Sequence, residues 1–237
     1  MNSGVLVAID SSGCENRFPN CVRVELEIRP IDEDSFDLVA DIRFGEQRIR
    51  TNKYGEVTFG LRRGRLKVEL DKGKVPLRNI KLDKVFQTEV EVKVQQVEGQ
   101  EKKVGGNLGF KAGASAVGTS TSSAGQEFSY KEYRVRTEGE QTDPCWVFEA
   151  EYMDFLEGLL REAELATVNV LEKPCRLIAT FEVRNIEDIC LKDGKLLGIK
   201  NITKKKLAVV ERWIAKRWIE EALKDKPYLS RVELAYG

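Results

Sequence analysis

A side-chain alternation of period two recurs along this chain, and it limits the fold more than any other feature. Val22, Val24, Leu26 and Ile28 alternate with Arg23, Glu25, Glu27 and Arg29. Successive side chains of a strand point to opposite faces, so the pattern gives one face to a core and one to water. Pro30 cannot donate a ladder hydrogen bond and is expected to end that strand. Leu38, Ala40, Ile42 and Phe44 repeat the pattern up to Gly45. Val57, Phe59 and Leu61 repeat it before a turn expected at Arg63-Gly64, from which Leu66, Val68 and Leu70 return. Short strands roughly ten residues apart, punctuated by Gly, Asp, Asn and Pro, predict antiparallel sheets packed as a β-sandwich.

Beyond Asp83 the alternation lengthens. Phe86, Thr88, Val90, Val92 and Val94 form one face of a strand that the polar run from Gln96 to Lys103 prolongs. A matching strand runs from Glu127 through Phe128, Tyr130, Tyr133 and Val135 to Thr137, so the pair predicts a long central β-hairpin. A turn at Asp143-Pro144 leads into a buried strand from Cys145 to Ala150, anchored by Trp146. From Leu159 to Val170 the helix-forming Leu-Arg-Glu-Ala-Glu-Leu-Ala competes with Thr167, Val168 and Val170, and strand is the favoured reading. Cys175, Leu177, Ala179, Phe181 and Val183 alternate again, Asn185 to Cys190 reads as a turn or short helical piece, and Val232, Leu234 and Tyr236 read as an edge strand.

One helix is expected, over 203–224. Thr203 is placed to cap it, Leu207, Val210, Ile214 and Trp218 form its apolar stripe, and Pro227 ends it. Core packing against the sheet is preferred for this helix over a membrane-surface or nucleic-acid role, because Glu211, Glu220 and Glu221 interrupt its basic residues. The expected class is therefore mainly β, with β-sandwich-like antiparallel sheets and one C-terminal amphipathic helix. A β-sandwich-like module is expected over 1–83. A second β-rich region over 84–237 holds the hairpin and the helix.

The run Thr51-Asn52-Lys53-Tyr54-Gly55-Glu56-Val57-Thr58-Phe59-Gly60-Leu61-Arg62-Arg63-Gly64-Arg65-Leu66-Lys67-Val68 sets a glycine turn, a strand with an aromatic, a second glycine turn and a return strand in succession. It resembles the hairpin of transthyretin-like and carboxypeptidase-regulatory-like sandwiches. That resemblance, confined to this short stretch, implies a binding or spacer module and no active site.

The chain contains no histidine among its 237 residues. Ser-His-Asp and Cys-His nucleophiles, histidine general bases and mixed zinc sites are thereby excluded. Carboxylates remain as acid-base groups, but the clusters Asp32-Glu33-Asp34 and Glu187-Asp188 fall where turns use aspartate for their own hydrogen bonds. A non-enzymatic protein without a cofactor is expected. Cys14, Cys21, Cys145, Cys175 and Cys190 are odd in number and irregularly spaced, which fits reduced, buried thiols better than a disulfide frame or a zinc ribbon. Lys plus Arg and Asp plus Glu balance at 39 each, so charge acts here through local patches. No basic leader opens the sequence and no run reaches the roughly 18 apolar residues of a membrane helix, so a cytoplasmic protein is expected.

Two segments are candidates for function. The hairpin tip, 104–125, is dense in Gly, Ala and Ser and is expected to be a flexible connector. Within it Leu108, Phe110 and Lys111 are the candidate partner-binding residues, acting by strand addition or by ordering of the tip. The same alternation of small and apolar residues admits a membrane-acting or oligomerising effector whose hairpin inserts after a trigger such as proteolysis, although alanine makes a weak lipid-facing surface. A glycine-rich phosphate cradle is set aside, since Gly105-Gly106-Asn107-Leu108-Gly109 lacks the GxGxxG spacing. The other segment is the basic stretch 43–84, where Arg62, Arg63 and Arg65 are candidate phosphate-contacting residues for nucleic acid. Its competing explanation is cross-strand pairing with the acidic strands over 25–41.

Overall fold

The structure, a computed structural model, describes residues 13–51, 55–91, 119–121, 127–150, 155–192, 213, 217 and 221–237. Among the described residues the regular structure is almost wholly antiparallel strand. In chain order these are β1 (Gly13–Asn16), β2 (Val22–Asp32), β3 (Ser35–Phe44), β4 (Gln47–Thr51), β5 (Gly55–Leu61), β6 (Arg63–Asp71), β7 (Gly73–Lys74) and β8 (Lys84–Glu91). They are followed by β9 (Thr119–Thr121), β10 (Glu127–Gly139), β11 (Pro144–Glu149), β12 (Gly158–Val170), β13 (Cys175–Glu182), β14 (Ile189–Lys192) and β15 (Ser230–Tyr236). One sheet has the order β1-β15-β13-β6-β11-β10-β8-β12-β3-β2, with β7 added to β12 and β9 to β10; a second, three-stranded sheet has the order β14-β5-β4.

The large sheet curls into a half-barrel. Its two ends approach each other: the Tyr236 hydroxyl of β15 donates to the Asp32 carbonyl of β2 at 2.7 Å, and the Phe36 and Tyr236 rings lie 5.0 Å apart. Inside the curl, buried Phe44, Phe148 and Phe181 from β3, β11 and β13 meet at centroid separations of 5.7 to 6.1 Å. Alternation in the sequence reappears as alternating burial along β6, β13 and β15, whereas β11 is buried along nearly its whole length, as its continuous apolar run requires. Trp146 is fully buried there, as expected of the anchor.

Several expectations hold and several need correction. The segment 158–170 is strand: β12 pairs with β3 from Gly158↔Phe44 to Asn169↔Ser35. Two register shifts, with Glu162 at a φ of 47°, break its period of two, so buried Leu160, Ala163, Leu165 and Val168 fall at spacings that imitate a helix. Pro30 does not end β2, which continues to Asp32. The proline sits at the last strand of the sheet order, next to a bulge between Pro30 and Asp32, where a missing donor is tolerated.

The turn expected at Arg63-Gly64 is not formed. β5 and β6 belong to different sheets, and Gly64 is a ladder residue of β6 opposite Phe148. The glycine is there to admit the Phe181 ring, whose Cε1 would lie 2.2 Å from an added Cβ. The hairpin on which the transthyretin-like resemblance rested is therefore absent.

β15 is no edge strand, since β13 and β1 pair with it on either side. Ile186–Asp188 is a 3-10 turn as read, but it leads at once into the unanticipated β14. Of the expected helix, residues 213, 217 and 221–223 are helical, and the rest of 203–224 lies outside the described residues. None of the five cysteines is in a disulfide. Cys21, Cys145 and Cys175 are buried as expected, Cys190 is partly buried, and Cys14 is exposed. Strands from both sides of residue 83 are interleaved, with β6 between β11 and β13, and share one hydrophobic core.

Candidate functional site

Two places are candidates for function, the outer face of β6 and the root of the hairpin. On β6, residues 63 and 65 point away from the core because 64, 66, 68 and 70 point into it. Their guanidiniums do not stand free for phosphate. Arg63 pairs with Glu149 on β11 and lies 3.9 Å from Asp188, and Arg65 reaches Glu138 on β10 at 2.9 Å. The hydrogen bond from Arg63 to Glu149 holds that guanidinium more firmly protonated, against the opposing effect of burial. Arg62 is exposed and lies between the two sheets, its backbone N–H donating to the Asp188 carbonyl and its own carbonyl accepting from Ala150.

A cleft of about 150 Å3 here is lined by Arg63, Arg65, Arg136, Glu138, Arg184 and Asp188. Arg136 and Arg184 were not singled out from the sequence, because nothing local brings strand β10 and the loop after β13 to the same place. Cross-strand pairing thus accounts for Arg63 and Arg65, but the partners come from β10 and β11 and not from the acidic segment 25–41. That segment supplies Asp37, which takes Lys81 at 2.8 Å. Each such exposed pair contributes about 0.2 to 1 kcal/mol. A second concavity, of about 210 Å3, is lined by Glu25, Glu27, Arg29, Asp41 and Glu162 among others, with Arg29 bonded to Glu27 and Glu162. Among the described residues no group of three or more His, Cys, Asp or Glu is placed to hold a metal ion.

The predicted hairpin is present at its root. β8 and β10 pair without a break from Val135↔Lys84 to Phe128↔Glu91, and β9 adds to β10 at residues 127–129. Within the expected flexible tip, residues 119–121 therefore form a short strand. Leu108, Phe110 and Lys111, and the polar run 96–103, lie outside the described residues.

On its far side β8 meets β12 at one ladder position, Leu159↔Glu89. Near it, side chains of both hairpin strands meet Glu157. The Thr88 hydroxyl donates to the Glu157 carbonyl at 2.8 Å. The Tyr133 hydroxyl accepts from the Glu157 N–H and donates to the same carbonyl, both at 3.3 Å. The Lys131 ammonium pairs with the Glu157 carboxylate. Burial pushes the Tyr133 phenol up to about 12, so it keeps its proton at neutral pH and serves as donor and acceptor together. The sequence carried one signal of this site, Thr88, a polar residue on the apolar face between Phe86 and Val90 and fully buried in the fold.

Residues 155–158 thus form a strap. Leu156 is fully buried and donates its N–H to the Leu61 carbonyl of β5, and the Phe155 ring occupies the space that the missing side chain of Gly60 leaves. Gly158 ends the strap at a φ of 100°, a conformation that favours glycine.

No protein-family model matches this chain, and no curated protein matches it. Among solved structures, the Clostridium perfringens NetB toxin in the membrane inserted form aligns over 74% of this chain and 81% of that chain, at 8% identity and a TM-score of 0.28. Likeness at that level carries no argument about what this chain does.

Proposed function

We propose that this chain is a non-enzymatic interaction protein, a β scaffold that presents the segment between β8 and β10 to a protein partner. The observation supporting it is the β8–β10 ladder, which holds the two ends of a long Gly-, Ala- and Ser-rich connection side by side on a sheet with its own core. A scaffold of that kind meets the anchoring requirement of a recognition loop, whose ends must be fixed while its tip adapts. In this reading Leu108 and Phe110 supply apolar contact, Lys111 supplies charge, and the backbone of the tip adds to a strand edge of the partner. The ion pairs of Arg63 and Arg65 favour this reading over phosphate contact, since their charge is already compensated.

Excision of residues 105–118, which leaves β9 in place, tests the proposal. Affinity purification of the tagged chain from its own host should recover a stoichiometric protein partner, and the excised variant should keep its circular dichroism and thermal transition while losing that partner. Partner recovery unchanged by the excision would overturn the proposal. So would recovery of nucleic acid in place of protein, or dye release from liposomes by the intact chain and not by the excised one.

A further inference from the structure

We propose that β10 pairs with the β10 of a second copy of this chain over residues 127–131, and that β9 guards the edge on which it does so. The strand pairings place β9 and β11 on one side of β10. β8 pairs with Phe128, Ser129, Arg134 and Val135, so the strands that also pair with those residues, β9 up to Ser129 and β11 from Arg134, both lie on the side opposite β8. Each side of a strand carries its own row of N–H and C=O groups, and here one end of that row is taken by β11 and the other by β9. β9 is the short sequence Thr119-Ser120-Thr121, contains no aromatic or aliphatic residue, and among the described residues has β10 as its one strand partner. A short polar strand laid over an edge is a means by which sheets keep other chains off it.

The sequence of β10 at this edge is self-complementary. With two copies antiparallel about Ser129, Ser129 faces Ser129, Phe128 faces Tyr130 and Glu127 faces Lys131, and the two-fold axis repeats the last two pairs. Positions 128 and 130 fall on one face of the strand, so the aromatic residues of both copies meet there. Positions 127, 129 and 131 fall on the other, so opposite charges meet there. Aromatic pairs and opposite charges directly across from each other are side-chain pairings that stabilise antiparallel ladders. Lys131 also pairs with Glu157, which leaves its ammonium between two carboxylates, one from each copy. β9 offers β10 the positions 127–129 and hydroxyl side chains, whereas a second β10 offers 127–131 with aromatic and ionic pairs. In its favour β9 has the high effective concentration that a short connection to β10 gives it. The guard therefore sets the protein concentration at which the copies join. This association does not involve residues 105–118, so it stands or falls apart from the reading that the tip binds a partner protein.

Sedimentation velocity of the purified full chain, with no other protein present, tests the shared edge. Thr119→Pro, Ser120→Pro and Thr121→Pro together remove every backbone donor that β9 can give to β10. The mass should then move from the 26.9 kDa monomer toward twice that value. It should do so at a concentration about tenfold lower than the wild-type chain requires, because the tethered competitor is gone. Ser129→Cys reads the register. Directly opposed residues of an antiparallel pair have Cα atoms about 4.5 to 5.5 Å apart, within the span of a disulfide. Under mild oxidation the peptide bearing residue 129 should therefore be recovered linked to itself, and faster in the proline background than with β9 intact. Ser129→Cys with β9 intact, oxidised at high protein concentration, reads the same contact and keeps the test available if the proline variant does not fold. Glu127→Lys sets like charges opposite each other and should weaken the dimer about tenfold. A monomer–dimer equilibrium unchanged by the three prolines would refute the guarded edge. So would the absence of the 129–129 link in both backgrounds.

Discussion

Gly64 shows how a single residue is fixed by a neighbour distant in sequence. Within a strand a glycine has no side chain to pack and loses more conformational freedom than other residues, so alanine would ordinarily improve the site. Here an added Cβ would meet Phe181 at 2.2 Å, and that ring is held between Phe44 and Phe148 with no exposure of its own. Gly64→Ala is therefore expected to destabilise the protein by about 1 to 3 kcal/mol through overpacking. Urea denaturation checks this, and an unchanged or raised midpoint would show that the ring can withdraw. Thr88 and Tyr133 teach the same lesson with polar groups: both are buried, and both find their partner in the backbone of Glu157, far from either in sequence.

Among the elements, β15 departs furthest from its expected role. Read as a terminal edge strand, it would be dispensable. In the fold it pairs with β13 from Cys175↔Tyr236 to Phe181↔Ser230 and with β1 from Gly13↔Glu233 to Asn16↔Ser230, and it carries buried Val232, Leu234 and Tyr236. Truncation after Pro227 removes both ladders and the Tyr236 contacts that close the curl against β2. The truncated chain should lose its near-UV circular dichroism and its cooperative thermal transition. A sharp melt close to that of the intact protein would mean that the half-barrel is stable without its penultimate strand. β12 is the opposite case, a strand whose two bulges hid its period without changing its place in the sheet.

For the whole molecule, topology governs which pieces can stand alone. Residues 1–83 contain the β2–β3 and β4–β5 pairings, but β6 pairs with β11 and β13, β1 with β15, and β5 also with β14. The isolated segment 1–83 would expose the apolar faces of Leu66, Val68 and Leu70 and leave long strand edges unpaired. It should show collapsed amide dispersion by NMR and aggregate on concentration; a dispersed spectrum would establish an autonomous module. The sequence by itself determined that the chain is mainly β, the inward-facing residues of β2, β3, β6, β13 and β15, the hairpin root and the Trp146 anchor, because a period of two is a local property of the backbone. It made the tip and the arginines candidates for the same local reason. Only the tertiary structure decided which strands are neighbours, that Arg63 and Arg65 are neutralised by Glu149 and Glu138, that β5 and β6 part into different sheets, and that Glu157 gathers the hairpin root. Strand pairing and charge compensation join residues dozens to hundreds of positions apart, and alternation along the chain records which face a residue takes without recording what lies across from it.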